Sequence, residues 1–397
     1  MKNVCLLIYD LRSGGAEHVL SDWSRLLSED FNVYMTIYDH SDQICYPYGG
    51  QLVNLNVPSN NKSAFTKVLT VLKRAKALSK FVKERNIDIV VSFCNECNLV
   101  NTVSRHSAKK ICSIRSVSDV HSNRFVKYVI RSNKNKIIIQ TEALRHSLID
   151  EYGEKISAKL IVMGNPFDTE RIKSMAKELP PIELLHILEN KKSIVNVASF
   201  KKQKNHTGLL RVFELVADIV PDAYLLLVGA NSTGLQPDVA SMASRSKFSD
   251  RIIFVGEQKN PFAIVSRCSV FVLPSLAEGI PNALAEAMIC GTPVIASDCP
   301  TGPAELLCKE PALVQFNDSC IFKADYGILV KRFTRYSDFT YETPNDEYIP
   351  FANAIINVLT DNEQRANLAI CSEQGSLCFD RNKYKKTLVE LINNCIN

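Results

Sequence analysis

No window of this 397-residue chain approaches the roughly 20 consecutive apolar residues that a membrane-spanning helix requires. The start, "MKNVCLLIYDLRSGGAEH", reads as one short strand, VCLLIY, that runs at once into charge and glycines and not as a secretory leader, and a cytoplasmic chain is expected. Cysteines number 13, an odd count scattered through predicted strands and helices as reduced thiols are. Only Cys94 and Cys97 form a C-x-x-C, and with no second pair and no nearby histidine it reads as packing. Neither an E-x-x-H-type metal site nor an isolated D-x-D stands in a loop where a divalent ion could bridge phosphates, so no metal is expected. Between Arg105 and Lys136 Asp119 is the only acid. That basic run, "SIRSVSDVHSNRFVKYVIRSNKNK", has few aromatics to stack on bases, which argues against nucleic acid as the partner.

What is present is a globular composition, 46% hydrophobic and 22% charged, at a length that suggests two domains. The net charge of +5 is unevenly spread. Residues 1–166 hold 23 Lys and Arg against 15 Asp and Glu, a surplus of eight that leaves the rest of the chain at −3. Such a patch attracts phosphates. Strand and helix signals alternate twice. VCLLIY, FNVYMTIY, IDIVVSF, KKICSI and KIIIQT are the strands of the first half; SIVNVAS, AYLLLVG, RIIFVG, VFVLPS and PVIAS are those of the second. Helical periodicity lies between them, as at 16–28, 64–85, 205–219, 261–267 and 281–290. The alternation predicts an α/β chain of two doubly wound, Rossmann-like parallel-sheet domains. A proline-marked segment without strands separates them, giving 1–166, a linker at 167–190 and a second domain at 191–377. The helical stretch 378–397 is placed to pack back on the first domain.

Open α/β sheets bind ligands beyond the carboxyl ends of their strands, at the first turn of the next helix. Two stretches suit this. In "LRSGGAEHVL", Gly14 and Gly15 let backbone approach a ligand closely; a tight strand-to-helix turn is the other reading. In "EGIPNALAEAMICGTPVIASDCPTGPAEL", Glu278 follows a strand, Gly279 permits a turn, Pro281 suits the first helical position and the helix starts close to Asn282. Glu286 then lies among Ala, Leu, Met and Ile. A carboxylate in such company has partners, and adjacent sugar hydroxyls can donate two hydrogen bonds to one. An exposed Glu278 with an internally salt-bridged Glu286 is the other reading.

The E-x7-E arrangement of Glu278 and Glu286 within "PSLAEGIPNALAEAMICGTPVIASDCPTGPAEL" resembles the nucleotide-sugar site of retaining glycosyltransferases of family 4, the glycogen-synthase-like group with the GT-B fold. "SGGAE" (13–17), "MGNPFD" (163–168), "ASFKKQKNH" (198–206), "LLLVGA" (225–230) and "IIFVGEQKNP" (252–261) extend the resemblance over nearly the whole chain. It implies two domains facing across a cleft that closes for catalysis. Glu286 would hold the donor's ribose hydroxyls and Glu278 the hydroxyls of its sugar. Backbone N–H groups of the Gly279–Ile280–Pro281–Asn282 loop would meet sugar or phosphate. Lys204 matches the lysine that neutralises the diphosphate, with Gly14 and Gly15 approaching the same group. Ser199 departs from the pattern, standing where the family often has an arginine; Lys201, Lys202 or Arg115 are the candidates to replace that charge. His121, in the acceptor half with Arg115, is the candidate for contacting the sugar or shuttling a proton, and an ordinary surface histidine is the alternative.

The resemblance implies a nucleotide-sugar donor, UDP by default, and a saccharide acceptor. "SDCPTGPAEL" is similar to members that assemble bacterial surface polysaccharides such as O-antigen or capsule, which favours a polyprenyl-diphosphate-linked acceptor. A nucleotide-sugar epimerase of the same fold and a two-lobed binding protein are the rival classes. The first leaves the basic half unexplained, and the second needs more interlobe crossings. On a helical wheel Lys62, Lys73, Lys76, Lys80 and Lys83 share a face with Phe65 and Leu69, while Val68, Val71, Leu72, Ala75, Leu78 and Val82 form the predicted core face. Such a helix suits an anionic membrane surface, where the protein would be peripheral, or is simply a solvated face.

Overall fold

A computed structural model of the chain describes residues 1–12, 14–39, 44–59, 63–115, 124–334, 336, 339 and 346–396. Short β-rich runs buried on both faces build its sheets, as the strands' near-continuous apolar character requires. The first sheet contains β1 (Asn3–Leu7), β2 (Asn32–Ile37), β3 (Gln51–Asn54), β4 (Ile89–Phe93), β5 (Lys109–Ile114), β6 (Asn135–Ile139) and β7 (Leu160–Val162). All pair in parallel, in the order β3-β2-β1-β4-β5-β6-β7. Alternation sends Val4 and Leu6 of β1 into one layer with Trp23 and Leu27, and Cys5 and Leu7 into another with Ala75 and Leu78.

The second sheet contains β8 (Lys192–Val197), β9 (Ala223–Val228), β10 (Ile252–Gly256), β11 (Val270–Leu273), β12 (Val294–Ser297), β13 (Ile321–Lys323) and β14 (Ile328–Val330). Its order is β10-β9-β8-β11-β12-β14-β13, parallel except that β13 runs antiparallel to β14. Ile194 and Val195 again face opposite layers, one against the helix His206–Ile219 and one against Asn282–Ile289.

Two compact units result, Met1–Pro166 with Asp380–Asn397, and Phe167–Phe379. The helix Arg381–Ile396 joins the first unit because Leu388 and Ile392, one turn apart, are fully buried there. Tyr384, a turn earlier, accepts a hydrogen bond from Trp23 Nε1 (2.8 Å) and donates one to the Gly164 carbonyl (3.0 Å). Residues 167–190 carry the helices Thr169–Ala176 and Leu185–Asn190 within the second unit. Among the described residues no helix is long and apolar enough to cross a membrane.

The helix Ala64–Glu84 corrects the wheel drawn from sequence. Ser63 caps it, its hydroxyl accepting from the Thr66 N–H at 3.2 Å. Ala75, Leu78 and Val82 are buried as the pattern predicts, but Val68 and Leu72 are 55% and 56% exposed, beside Phe65 at 72%. Thr70 and Arg74 hold the inward positions of those turns instead. The buried Arg74 guanidinium lies 5.0 Å from the Tyr9 ring and 4.6 Å from the Tyr38 ring, donates to the Val57 carbonyl (2.8 Å) and pairs with Glu96. An arginine reads as surface in a sequence; here stacking and pairing carry it inside. Lys62 lies outside the described residues.

Candidate functional site

β8 and β11 are neighbours at the centre of the second sheet, with Ile194 opposite Val270. The chain turns toward β9 from one and toward β12 from the other, so their carboxyl ends form the switch point at which such sheets bind ligands. Two loops meet there. After β8 the chain passes Ser199, half-buried, then makes a 3-10 turn at Lys202–Lys204 and a left-handed residue at Asn205 (φ 52°) before the helix His206–Ile219. After β11 come Glu278, Gly279 and Ile280, and the helix Asn282–Ile289. Hydrogen bonds stitch the loops together: Leu276 N–H donates to the Gln203 carbonyl (2.8 Å), and Asn205 Nδ2 to the Pro274 carbonyl (3.3 Å).

The result is an ion pair between the two principal candidates. Lys204 Nζ lies 2.6 Å from Glu278 Oε1, with side chains only 19% and 6% exposed. A carboxylate this covered needs its cation, because removing one partner of a buried pair costs about 3 to 5 kcal/mol. Lys201 and Lys202 are exposed. Behind Glu278, its carbonyl accepts from Thr301 Oγ1 at 2.6 Å. Gly302 (φ +94°) packs so closely that a Cβ there would stand 1.7 Å from the Gly279 oxygen. Thr301 and Gly302 are the site residues that sequence reasoning missed; they stood within the quoted "PTGPAEL", where a Thr-Gly-Pro turn was the available signal.

Pro281 occupies the N-cap position, one residue before the position its sequence suggested, and having no N–H it offers a ligand none. Its carbonyl accepts from Leu284 (3.1 Å) and Ala285 (3.3 Å). Glu286 is half-buried on the same helix, one turn before Cys290. Burial, aided by the Glu286 charge, pushes the Cys290 thiol up to about 12. The His206 ring stacks on Phe200 at 4.4 Å. Burial, then Lys204, holds its imidazole down to about 4, so it is neutral beside that lysine.

The first unit holds the remaining candidates. Gly14 is the extended residue before the helix Gly15–Leu27, and its N–H donates to Tyr46 Oη at 3.3 Å. Tyr46 in turn stacks on His18 at 4.8 Å. Arg115, at the end of β5, bonds Asn165 and lies 5.1 Å over the Phe93 ring. Burial lowers its guanidinium to about 10. His121 lies outside the described residues. Among the described residues no three His, Cys, Asp or Glu side chains stand together as a metal site would need.

Comparison with known proteins places this geometry. Residues 191–325 match the family model described as Glycosyl transferases group 1. An uncharacterized glycosyltransferase of Methanocaldococcus jannaschii is 25% identical over 315 residues, 74% of this chain and 77% of that protein. The N-acetylgalactosamine-N,N'-diacetylbacillosaminyl-diphospho-undecaprenol 4-alpha-N-acetylgalactosaminyltransferase of Campylobacter jejuni is 24% identical over 318 residues, 77% of this chain and 83% of that enzyme. Among solved structures, HepE of Anabaena in complex with UDP and glucose covers 99% of this chain and all of its own, with a TM-score of 0.75 at 15% identity. The α/β fold of two parallel-dominated sheets is thus that of GT-B glycosyltransferases.

Proposed function

On a chain whose residues 191–325 are a glycosyl transferases group 1 domain, we propose a retaining, metal-independent transfer of family 4 type. A hexosyl or N-acetylhexosaminyl group moves from a UDP-sugar to a saccharide carried on a polyprenyl diphosphate, in surface-glycan synthesis. The observation that carries this reading is the covered Lys204–Glu278 pair at the switch point of the second sheet. The Campylobacter relative, whose name includes a diphospho-undecaprenol-linked sugar, supports the acceptor class.

In this reading the donor exchanges the internal contact for two of its own. Lys204 turns to the diphosphate and Glu278 to the sugar hydroxyls, while Glu286 receives the ribose. The anomeric carbon–oxygen bond breaks, UDP leaves with both electrons, and the acceptor oxygen bonds the same face of that carbon. The acceptor's proton passes to the departing phosphate. Lysine charge aimed at the leaving group lowers the barrier without a metal ion. Radiolabelled transfer from a panel of UDP- and GDP-sugars to a short-chain polyprenyl-diphosphate saccharide, in excess EDTA, tests it. Retained anomeric configuration in the product is expected. Activity only with added magnesium or manganese rejects the metal-free mechanism, and conversion of the UDP-sugar without any acceptor points to an epimerase.

The exposed Phe65, Val68, Leu69 and Leu72, flanked by Lys67, Lys73 and Lys76, support peripheral attachment to an anionic membrane. Co-sedimentation with phosphatidylglycerol vesicles checks this. Replacing Phe65 and Leu72 by Ser is expected to abolish it, and unchanged sedimentation returns the helix to a solvated face.

A further inference from the structure

A cavity of about 980 Å³ opens at the amino edge of the first sheet, where β5 and β6 begin, and it is walled by cations. Arg105, Lys109, Lys134 and Lys155 are exposed around it. Lys110, Lys136 and Lys159 are part of the same wall, and no Asp or Glu is.

Part of this charge has a structural use. The helices Asn95–Val103, Arg124–Arg131 and Arg381–Ile396 all end at this edge, and helix carboxyl ends leave carbonyls without partners. Buried Lys110 donates to the carbonyls of Asn101 (2.7 Å), Thr102 (3.2 Å) and Ser104 (2.6 Å). Lys159 donates to the carbonyls of Ile130 and Ser132, and Lys136 to that of Ala158 (3.0 Å). Each helix end, however, amounts to about −0.5 of a charge. Three of them offset about −1.5 against seven cations, so a surplus of more than about five charges remains.

Nor do carboxylates make up the difference. None of the seven is in an ion pair with a described residue. Glu151 lines an adjoining cavity that shares Lys155 and Lys159, but it is bonded to Lys127 at 3.3 Å. The mutual repulsion registers inside the wall: burial, then Lys134, lowers the Lys110 ammonium to about 8, and burial, then Lys110, lowers His106 to about 4. A solvated basic face spreads its charges over convex surface, whereas a concave wall of one sign focuses its field inward.

We propose that this cavity binds a compound carrying two or more clustered phosphates, at a site built wholly from the first unit and separate from the donor residues of the second. The volume suits an oligophosphate rather than a lone phosphate. Such phosphates come either on a soluble molecule or on phosphorylated lipid headgroups. The assignment stands whether or not the second unit transfers a sugar.

Titration calorimetry of the full chain with sodium tripolyphosphate, in about 0.1 M NaCl where loose surface attraction is screened, is the test. Saturable binding is expected. The combined variant Lys109→Ala, Lys134→Ala and Lys155→Ala, all at exposed positions, is expected to weaken it by about ten-fold or more. Lys73→Ala with Lys76→Ala on the helix 64–84 is the matched control and is expected to leave it unchanged. A second arm uses phosphatidylcholine vesicles carrying cardiolipin, whose headgroup holds two phosphates, with protein carrying Phe65→Ser and Leu72→Ser, so that the exposed helix does not contribute. Sedimentation that the triple variant abolishes and tripolyphosphate competes away identifies lipid headgroups as the source; tripolyphosphate binding alone identifies a soluble one. No saturable binding in either arm, or equal weakening by the control, overturns the proposal. A UDP titration of the same samples reads the donor site separately.

Discussion

The two sheets place their first five strands alike, the second and third on one side of the first and the fourth and fifth on the other. Their carboxyl edges differ in chemistry. At the ends of β8 and β11 a lysine and a covered glutamate meet at 2.6 Å. At the corresponding ends of β1 and β4 stand Gly14 and Cys94, each introducing a helix. The first unit turns the charge of Arg74, paired with Glu96 and stacked on two tyrosines, and of Arg115, stacked on Phe93, inward, and at its amino edge that of Lys110. One scaffold therefore serves both units, and in the proposed function the residues after two central strands decide which of them takes the donor.

The largest expected effect breaks that difference. Glu278→Ala removes the carboxylate and leaves Lys204 without its partner, and turnover at saturating donor is expected to fall by about 10² to 10³. UDP affinity should fall much less, because Lys204 still meets the diphosphate. Steady-state kinetics beside a UDP titration reads both, and unchanged turnover would remove Glu278 from the reaction.

Next is an acid-side loss of stability that belongs to the second unit's loop. The folded chain holds His206 at about 4, below its ordinary value near 6.5. Between those values the unfolded chain takes up a proton that the folded chain refuses, so stability present above pH 6.5 is lost as pH falls toward 4. The contribution is at most about 3 kcal/mol. His206→Phe keeps a ring against Phe200 and should flatten this part of the profile in urea unfolding followed from pH 7 to 4. An unaltered acid slope would place the titration elsewhere.

Strands buried on both faces, such as VCLLIY and IDIVVSF, were legible because their apolar run is nearly unbroken. Short ones were not. β3, β7 and β13 are edge strands of three or four residues with incomplete burial, and β14 is a three-residue run, too brief for any period to show. In the site, Lys204 and Glu278 were each indicated by resemblance, but their contact spans 74 residues and depends on the β8–β11 register, a tertiary fact. Gly302 escaped because its constraint, the Gly279 oxygen, comes from another loop. The cationic cavity was visible only as a basic stretch; its concavity needs the helix Arg381–Ile396, more than two hundred residues away in sequence.

The donor assignment of the second unit is tested most directly by calorimetric titration of UDP and of uridine into the unmodified chain, Lys204→Met and Glu286→Ala. The account predicts that Lys204→Met weakens UDP by about ten- to a hundred-fold, the worth of a charged hydrogen bond, and leaves uridine untouched. Glu286→Ala is predicted to weaken both ligands, since both carry the ribose. Wild-type affinity for UDP in both variants would contradict the account and move the donor away from the ends of β8 and β11.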